Sequence, residues 1–329
     1  MRYFVTGAAG FIGGHLVEAL LADGHQVTGL DDLSTGRLEN LAAVSDHPSL
    51  RFTEGNVLDA SLVSELTAGA DVVFHLAAAV GAFVILGSTL DSMRTNIHGT
   101  ENVAAAALAH DAVLVAASTS EIYGKNTKIG LREDDDRILG SPLKSRWSYA
   151  EAKAIDESLI EATSREQGLR AVIVRLFNTV GPRQTGRYGM VIPRFARQAL
   201  RGEPLTVFGT GQQIRCFCHV HDVIPALTAL ARTPAAYGKA VNLGSTEQVS
   251  IETLARKVIA SAGSASSISR SSYLDAYGPG YEDMQRRVPD CTFARSLTGF
   301  NPAHTLDDII TDVIADQAAQ RPVAAVPAS

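Results

Sequence analysis

Cysteine is scarce in this chain. Its 329 residues contain three, Cys216, Cys218 and Cys291, too few and too odd in number for a disulfide framework. That excludes the small disulfide-stapled secreted scaffolds and predicts a reducing compartment, the cytoplasm. Basic charge is also in short supply. With a formal net charge of -6 the chain lacks a field for holding a nucleic-acid backbone, although local arginines can still take a small phosphate ligand. Long apolar runs are missing: none approaches the roughly 20 residues that cross a bilayer. The N-terminus goes straight into the strand-like run Tyr3 to Val5 with no charged leader or cleavage site. What is present is 46% hydrophobic residues, enough to bury a full core in a chain long enough for two lobes. The composition predicts a soluble globular protein without a nucleic-acid or membrane partner.

Short β-branched runs alternate with helical segments through the first half: YFVTG, FIGGHLVEALLADG, QVTGL, an apolar-periodic stretch near 59–69, DVVFHLA and AVLVAAS. This is the pattern of a parallel sheet with crossover helices. AVIVRLF (171–177) adds a strand after a candidate helix at 149–166. Beyond Gly181-Pro182 the pattern becomes irregular, with shorter strands (LTVFG, RCFCHV, AVNLG) and helices near 191–201, 221–231, 251–262 and 305–318. The predicted fold is α/β, a Rossmann-type doubly wound parallel sheet mainly over 1–177, with a smaller α/β substrate-binding lobe mainly over 178–318 and room for the chain to cross between the two. A Pro/Ala-rich flexible tail follows at 319–329.

The first predicted strand ends at Thr6, and Gly7-Ala-Ala-Gly10-Phe-Ile-Gly13 opens the first helix. Gly7 permits the tight turn, Gly10 lets backbone amides approach a pyrophosphate at the positive helix end, and Gly13 lets helix pack on strand. Asp31 closes the second strand, where a carboxylate accepts from both ribose hydroxyls and repels a 2'-phosphate. That favours NAD over NADP, and Asp32 adds to the repulsion, although Arg37 is near enough in sequence to weigh the other way. Asn56, in EGNVLD, is placed either to meet the adenine edge or to serve as a plain turn residue.

Tyr149 and Lys153 stand four apart in WSYAEAK, so on a helix they project from one face. An ammonium about 6 Å from the phenol, at an effective dielectric near 20, contributes roughly 2.8 kcal/mol, about two pK units. That would bring a phenolate within reach near neutral pH, able to take a proton from a substrate hydroxyl. The hydroxyl cluster Ser118-Thr119-Ser120 precedes Glu121 in ASTSEIYGK. RCFCHVHD (215–222) offers two cysteines and two histidines, but strand alternation puts Cys216 and Cys218 on one face without a second ligand cluster, so no metal is expected. EDDDR (133–137) reads as a solvated loop.

These residues resemble the extended short-chain dehydrogenase/reductases of the NAD-dependent sugar-nucleotide epimerase, dehydratase and decarboxylase group. The similarity runs through TGAAGFIGGHL, HLAA (75–78), RTNIHGTENV (94–103), STSEIYG, WSYAEAK, RLFNTVGPRQ (175–184) and QRRVPD (285–290), about residues 1–315. It implies catalytic roles for Thr119, Tyr149 and Lys153. It also implies cofactor contacts from Phe11, Ile12, Asp32, Ser34, Thr35, Gly36, Val57, Leu76, Ala77, Ala78, Asn96 and Ser118. Toward a UDP-sugar it implies Asn178, Arg187, Val191, Ile192 and Val207, with Phe208 against the uracil face and Arg215 and Arg287 clamping phosphates. Small residues on the helices near 88–110 and 149–166 fit the dimeric four-helix bundle of such enzymes.

The group begins by oxidising C4' of the sugar and diverges afterwards. STSEIYG with RWSYAxxK resembles the UDP-glucuronate decarboxylases. In that reading Ser120 bonds the sugar carboxylate, and Glu121, its pKa raised by that facing carboxylate, stays protonated and either biases the carboxylate's orientation or acts as acid/base at C5'. UDP-hexose or UDP-hexuronate 4-epimerases usually lack the glutamate. 4,6-dehydratases of GDP-mannose carry a similar STSE-YG stretch but prefer NADP. A catalytically silent NAD-binding protein is a fourth class, one expected to lack Tyr149 or Lys153.

Overall fold

The computed structural model describes residues 1–81, 87–186, 189–278 and 281–320. Strands β1 (Arg2–Thr6), β2 (Gln26–Asp31), β3 (Leu50–Glu54), β4 (Val72–His75), β5 (Val113–Thr119) and β6 (Ala171–Leu176) alternate with helices α1 (Phe11–Ala22), α2 (Ala60–Thr67), α3 (Thr89–Ala109) and α4 (Ser148–Gln167). With a later strand, Lys239–Leu243, they form one seven-stranded parallel sheet. Its spatial order is β6, β5, β4, β1, β2, β3, and the late strand pairs on the outer side of β6. Covered on both faces, these strands are continuous apolar runs rather than alternating ones. Phe4, Val73 and Leu114 are wholly buried toward α2, α3 and α4; Tyr3, Val5 and Val115 pack toward α1 on the other face. Each such side chain contributes roughly 1.5–3 kcal/mol by its burial.

After β6 come β7 (Thr179–Val180), α5 (Val191–Leu200), β8 (Leu205–Phe208), β9 (Ile214–Arg215), β10 (Cys218–His219), α6 (Val220–Leu230), β11 (Lys239–Leu243), β12 (Val249–Ser250), α7 (Ile251–Ser261), β13 (Ile268–Ser271), α8 (Tyr273–Tyr277), β14 (Arg286–Arg287), α9 (Thr292–Thr298) and α10 (Leu306–Ala319). A separate core joins α5, α7 and α10 around Phe195, Leu254 and Ile309. The chain does cross back to the main body. The segment AVNLG, expected in the smaller lobe, is β11 of the large sheet, and α6 and α9 pack on the α1 face through Val223, Leu227 and Ala294. RCFCHV is not one strand: β9 pairs with β12 and β14, β10 pairs with β7, and Phe217 between them turns into the smaller core. The shared-face argument for Cys216 and Cys218 therefore does not hold. All three cysteines are buried free thiols. Residues 321–329 of the predicted tail lie outside the described residues. Among the described residues, no helix is long and apolar enough to cross a membrane.

Four histidines meet where α1, β10, α6 and the start of α10 converge. The His219 and His304 rings stack at 4.3 Å, His219 and His221 lie 4.7 Å apart, and His15 meets His221 at 5.1 Å. His219, His221 and His304 bring three ring nitrogens within 4.8 Å of one another, a juxtaposition RCFCHVHD alone does not reveal because His304 is remote in sequence. Some of these ring nitrogens already have neighbours. His219 Nδ1 accepts the His221 amide at 3.1 Å, leaving its proton on Nε2 toward Asp312, and His304 Nδ1 lies 2.9 Å from Asp222. Burial lowers His15 and His219 to about 4 and lowers His221 as well. Because the unfolded state takes up these protons first, their penalty is absent above about pH 6.5 and grows as pH falls toward 4. Thermal melts should therefore show Tm dropping from pH 7 to pH 5, with a shallower drop in His15→Gln. Parallel profiles in the two proteins would refute that origin.

Candidate active site

A cavity of about 510 Å³ opens across the C-terminal ends of β1, β2, β4 and β5, the side of a doubly wound sheet on which ligands bind. Gly7 turns with φ +70°, and a methyl group there would lie 2.7 Å from the Ala77 amide nitrogen. One on Gly13 would lie 2.0 Å from the Gly7 carbonyl oxygen, so α1 can approach β1 only without a side chain. Gly10 caps α1 with no side chain on its first amides, leaving them to an anion. Asp31 Oδ2 accepts the Ala9 amide and Oδ1 the Leu33 amide, each at 2.9 Å. This clasp ties the glycine loop to the end of β2, where a ribose fits and a 2'-phosphate would meet a carboxylate. The cradle fits a dinucleotide.

Most of the predicted cofactor residues line this cavity: Gly7, Gly10, Phe11, Ile12, Gly13, Asp31, Asp32, Ser34, Thr35, Val57, Leu76, Ala77, Ala78 and Ser118. Four do not. Gly36 packs beneath the Asp31 carboxylate. The Asn56 side chain is spent locally, donating to Asp32 at 2.8 Å and accepting the Leu58 amide at 2.9 Å, so the turn reading of Asn56 replaces the adenine one. Asn96 is buried and pins the loop after β4 through the Ala79 amide (2.9 Å) and carbonyl (3.3 Å). Lys153 lies behind the wall, 2% exposed.

A second cavity of about 320 Å³ adjoins the first, and Thr119, Tyr149, Asn178 and Gln184 line both. Thr119 ends β5, and Ser120 and Glu121 begin the short 3₁₀ turn that follows, so strand geometry sets all three at the rim. Tyr149 stands in the first turn of α4. Asn178 holds φ +41°, a conformation asparagine tolerates better than most residues. Its amide donates to the Cys216 carbonyl at 2.6 Å and accepts from Arg287.

The electrostatics of two residues depend on partners that the sequence reading did not supply. Lys153 does not present an uncompensated charge to Tyr149: its Nζ lies 3.1 Å from Asp156 Oδ2, one helical turn on, with both side chains almost wholly buried. Burial, then Glu121 and Asp156, raise the Tyr149 phenol above its ordinary range instead of bringing it toward neutrality. Glu121 is the second. Its Oε2 accepts from Arg146 Nη1 at 2.6 Å and its Oε1 from Arg287 Nη1 at 3.2 Å. Burial works against ionisation, but the two guanidiniums prevail and hold the carboxyl at about 2, so in the free chain, with no substrate carboxylate facing it, Glu121 is a carboxylate.

Behind the rim runs a buried polar string. Thr6 Oγ1 accepts the Ala77 amide at 3.2 Å, which turns its own proton toward His75 Nδ1 at 2.8 Å. The ring proton then faces Thr100 from Nε2 at 3.1 Å. Burial lowers His75 to about 3, so it stays neutral.

Of the predicted nucleotide-sugar residues, Asn178, Val191, Ile192, Phe208, Arg215 and Arg287 line the second cavity. Val207 points into the smaller core instead, fully buried, because alternation along β8 sends it to the face opposite Phe208. Arg187 lies outside the described residues. Arg215 is paired, with Nη2 2.9 Å from Asp283. Several lining residues escaped the sequence reading: Arg146, Arg194, Tyr273, Tyr277, Tyr281 and Asp283. Tyr277 and Tyr281 stack at 4.1 Å, and the Arg194 guanidinium lies 4.4 Å from the Phe208 ring centre. The four-residue spacing of the tyrosines was their available signal, and Arg146 stood in the RWSYAEAK motif beside the chosen Tyr149.

Two adjoining cavities, one shaped for a dinucleotide and one lined by arginines and aromatics, with a tyrosine at their shared wall, define a nicotinamide-dependent enzyme acting on a phosphorylated ligand. Residues 3–244 match the NAD dependent epimerase/dehydratase family. The chain belongs to that family; it is an enzyme, and its cofactor is NAD. It is 39% identical over 302 residues to a UDP-N-acetyl-alpha-D-glucosaminuronate decarboxylase of Bacillus cytotoxicus, covering 92% of each chain. It is 33% identical over 313 residues to UDP-glucuronic acid decarboxylase 1 of Xenopus tropicalis, covering 95% of this chain and 71% of the relative. Among solved structures, the UDP-glucuronic acid 4-epimerase of Bacillus cereus, in complex with UDP-glucuronic acid and NAD, superposes with a TM-score of 0.87 at 28% identity, covering 98% of this chain and 100% of the epimerase.

Proposed function

We propose that this enzyme decarboxylates a UDP-hexuronate, with UDP-glucuronate giving UDP-xylose or the UDP-4-keto-pentose. The observation that carries the reading is Glu121 held between Arg146 and Arg287 directly after Thr119 and Ser120, at the wall next to Tyr149. A 4-epimerase needs only the tyrosine side of this arrangement; an acidic group beside two guanidiniums suits a substrate that carries a carboxylate and must be reprotonated at C5'. The 39% relative's substrate carries a 2-acetamido group, which favours as second reading the N-acetylated uronate with the same chemistry.

NAD, when bound, supplies the hydride acceptor for C4' and returns the hydride at the end. Tyr149 takes the proton of the 4'-hydroxyl while Thr119 orients that oxygen. The resulting 4'-ketone lies β to the C6' carboxylate. Carbon dioxide leaves, the C5'–C6' electron pair moves into an enolate on the C4' oxygen, and a proton delivered to C5' restores the ketone. Glu121 carries that last proton: once the substrate carboxylate draws on Arg146 and Arg287, Glu121 loses the partners that keep it ionised, its pKa rises, and it takes up from solvent the proton that it gives to C5' after carbon dioxide has left.

As a finer part of the proposal, the enzyme works as a homodimer paired through α3 and α4, which expose Leu90 and Ile155. It resides in the cytoplasm, a reading supported by its three free thiols. The deciding experiment incubates the protein and NAD with UDP-glucuronate and, separately, its 2-acetamido analogue, following carbon dioxide and the sugar product. Carbon dioxide and a UDP-pentose from either are expected. Conversion of UDP-glucuronate to UDP-galacturonate alone, or turnover of UDP-glucose with neither uronate consumed, would refute the reading.

A further inference from the structure

Arg146 does more in this fold than its place in a sequence motif requires. It sits in the 3₁₀ turn Ser145–Trp147, which runs without a break into α4, so its position is tied rigidly to Tyr149 three residues later. Its guanidinium lies 5.1 Å from the Trp147 ring centre and 5.5 Å from that of Tyr281. Aromatic neighbours of that kind fix the plane of an arginine and strip it of water. The side chain is 9% exposed, yet of its donors only Nη1 has an aligned partner, Glu121 Oε2. Nη2 stands 3.9 Å from Asp283, and Nε is buried without a partner among the described residues.

The local charge count is also unbalanced. Arg146 and Arg287 share one carboxylate, Glu121, and the next one, Asp283, is already taken up by Arg215 at 2.9 Å and by the Tyr273 hydroxyl at 3.0 Å. Arg287 repeats the pattern, 10% exposed at the side chain with a buried Nε that has no partner. A buried trio with one net positive charge and two unused N–H groups, beside the hydroxyls of Thr119 and Ser120, is complementary to one further anion. The diphosphate already has Arg215 and Arg194 farther along the cavity as candidates, and Arg146 is the guanidinium anchored to the tyrosine helix, where the sugar ring must lie.

We infer that Arg146 is the specificity-determining residue of the sugar subsite: it receives the C6' carboxylate of the substrate, taking it in exchange for part of its bond to Glu121. This deepens the UDP-hexuronate reading and rests on it. A neutral hexose leaves the Arg146–Glu121 pair closed; a uronate opens it.

The test is titration calorimetry on the NAD-loaded Tyr149→Phe protein, which binds without turning over, with UDP-glucuronate, UDP-glucose and UDP as probes. Arg146→Met in that background should weaken UDP-glucuronate by at least about thirtyfold, the effect of removing one partner of a desolvated charge pair, while UDP-glucose and UDP change by less than about threefold. Arg146→Lys, which keeps the charge and serves if the methionine variant fails to fold, should retain most of the preference for the uronate. Equal losses for all three ligands would make Arg146 a mere prop for Glu121 and overturn the assignment. An undiminished uronate preference in both variants would overturn it too, leaving the decarboxylase reading intact. A Tyr149→Phe parent with no preference for the uronate would bring down both.

Discussion

Tyr149→Phe is expected to reduce single-turnover NAD reduction by about a thousandfold or more, with nucleotide-sugar affinity kept within a few-fold. The phenol is the one titratable group that lines both cavities among the described residues, so it alone can both take a proton from a sugar hydroxyl and face the dinucleotide cavity. Phenylalanine fills the same buried volume without the proton acceptor, and general-base removal costs about 10²–10⁴-fold. The pH profile follows from the direction of the shift. Burial, Glu121 and Asp156 hold the free phenol above its ordinary range, so the reactive phenolate becomes commoner as pH rises, and kcat/KM of the wild type should climb from neutral into alkaline pH. The check is absorbance of reduced nicotinamide across pH; a flat profile, or near-normal turnover in the phenylalanine variant, removes Tyr149 as the base.

Glu121→Gln should separate the two halves of the reaction. Glutamine keeps the shape and one acceptor for Arg146 or Arg287 but cannot carry a proton to C5', so reduced nicotinamide should form at a rate within about tenfold of wild type. Pentose formation should fall by about 10²-fold or more, because the enolate left by the departing carbon dioxide lacks its proton donor at C5'. Following both signals in one reaction distinguishes this from simple damage: an equal fall in both would show that the glutamate merely supports the cavity.

The parts of the site that were legible in the sequence are those where backbone geometry dictates residue type. Gly7 and Gly13 are such positions, because any side chain there would strike Ala77 or the Gly7 carbonyl. The same is true of Asp31, which must end a strand to clasp the loop, and of Tyr149 and Lys153, whose spacing of four is helical. What stayed hidden depends on partners distant in the chain. Asn56 is committed to Asp32, and Val207 rather than Phe208 faces the smaller core. The charge states of Glu121 and Tyr149 in the free chain also stayed hidden, because Arg146, Arg287 and Asp156 converge on them only after folding. The break of RCFCHV into two strands serving different sheets is likewise a matter of tertiary pairing, invisible to alternation.

The Lys153–Asp156 pair has a consequence for timing. A lysine standing alone beside the phenol would keep the base primed whether or not anything was bound, and any hydroxyl entering the cavity would be exposed to it. With its charge matched by Asp156 the helix delivers almost nothing to Tyr149, and the decision passes to the occupant of the neighbouring cavity. Bound between the walls lined by Tyr149 and the glycine loop, oxidised NAD would supply the positive charge that the lysine withholds. Such a pairing would act as an interlock, leaving the phenol unprimed until the hydride acceptor is in place.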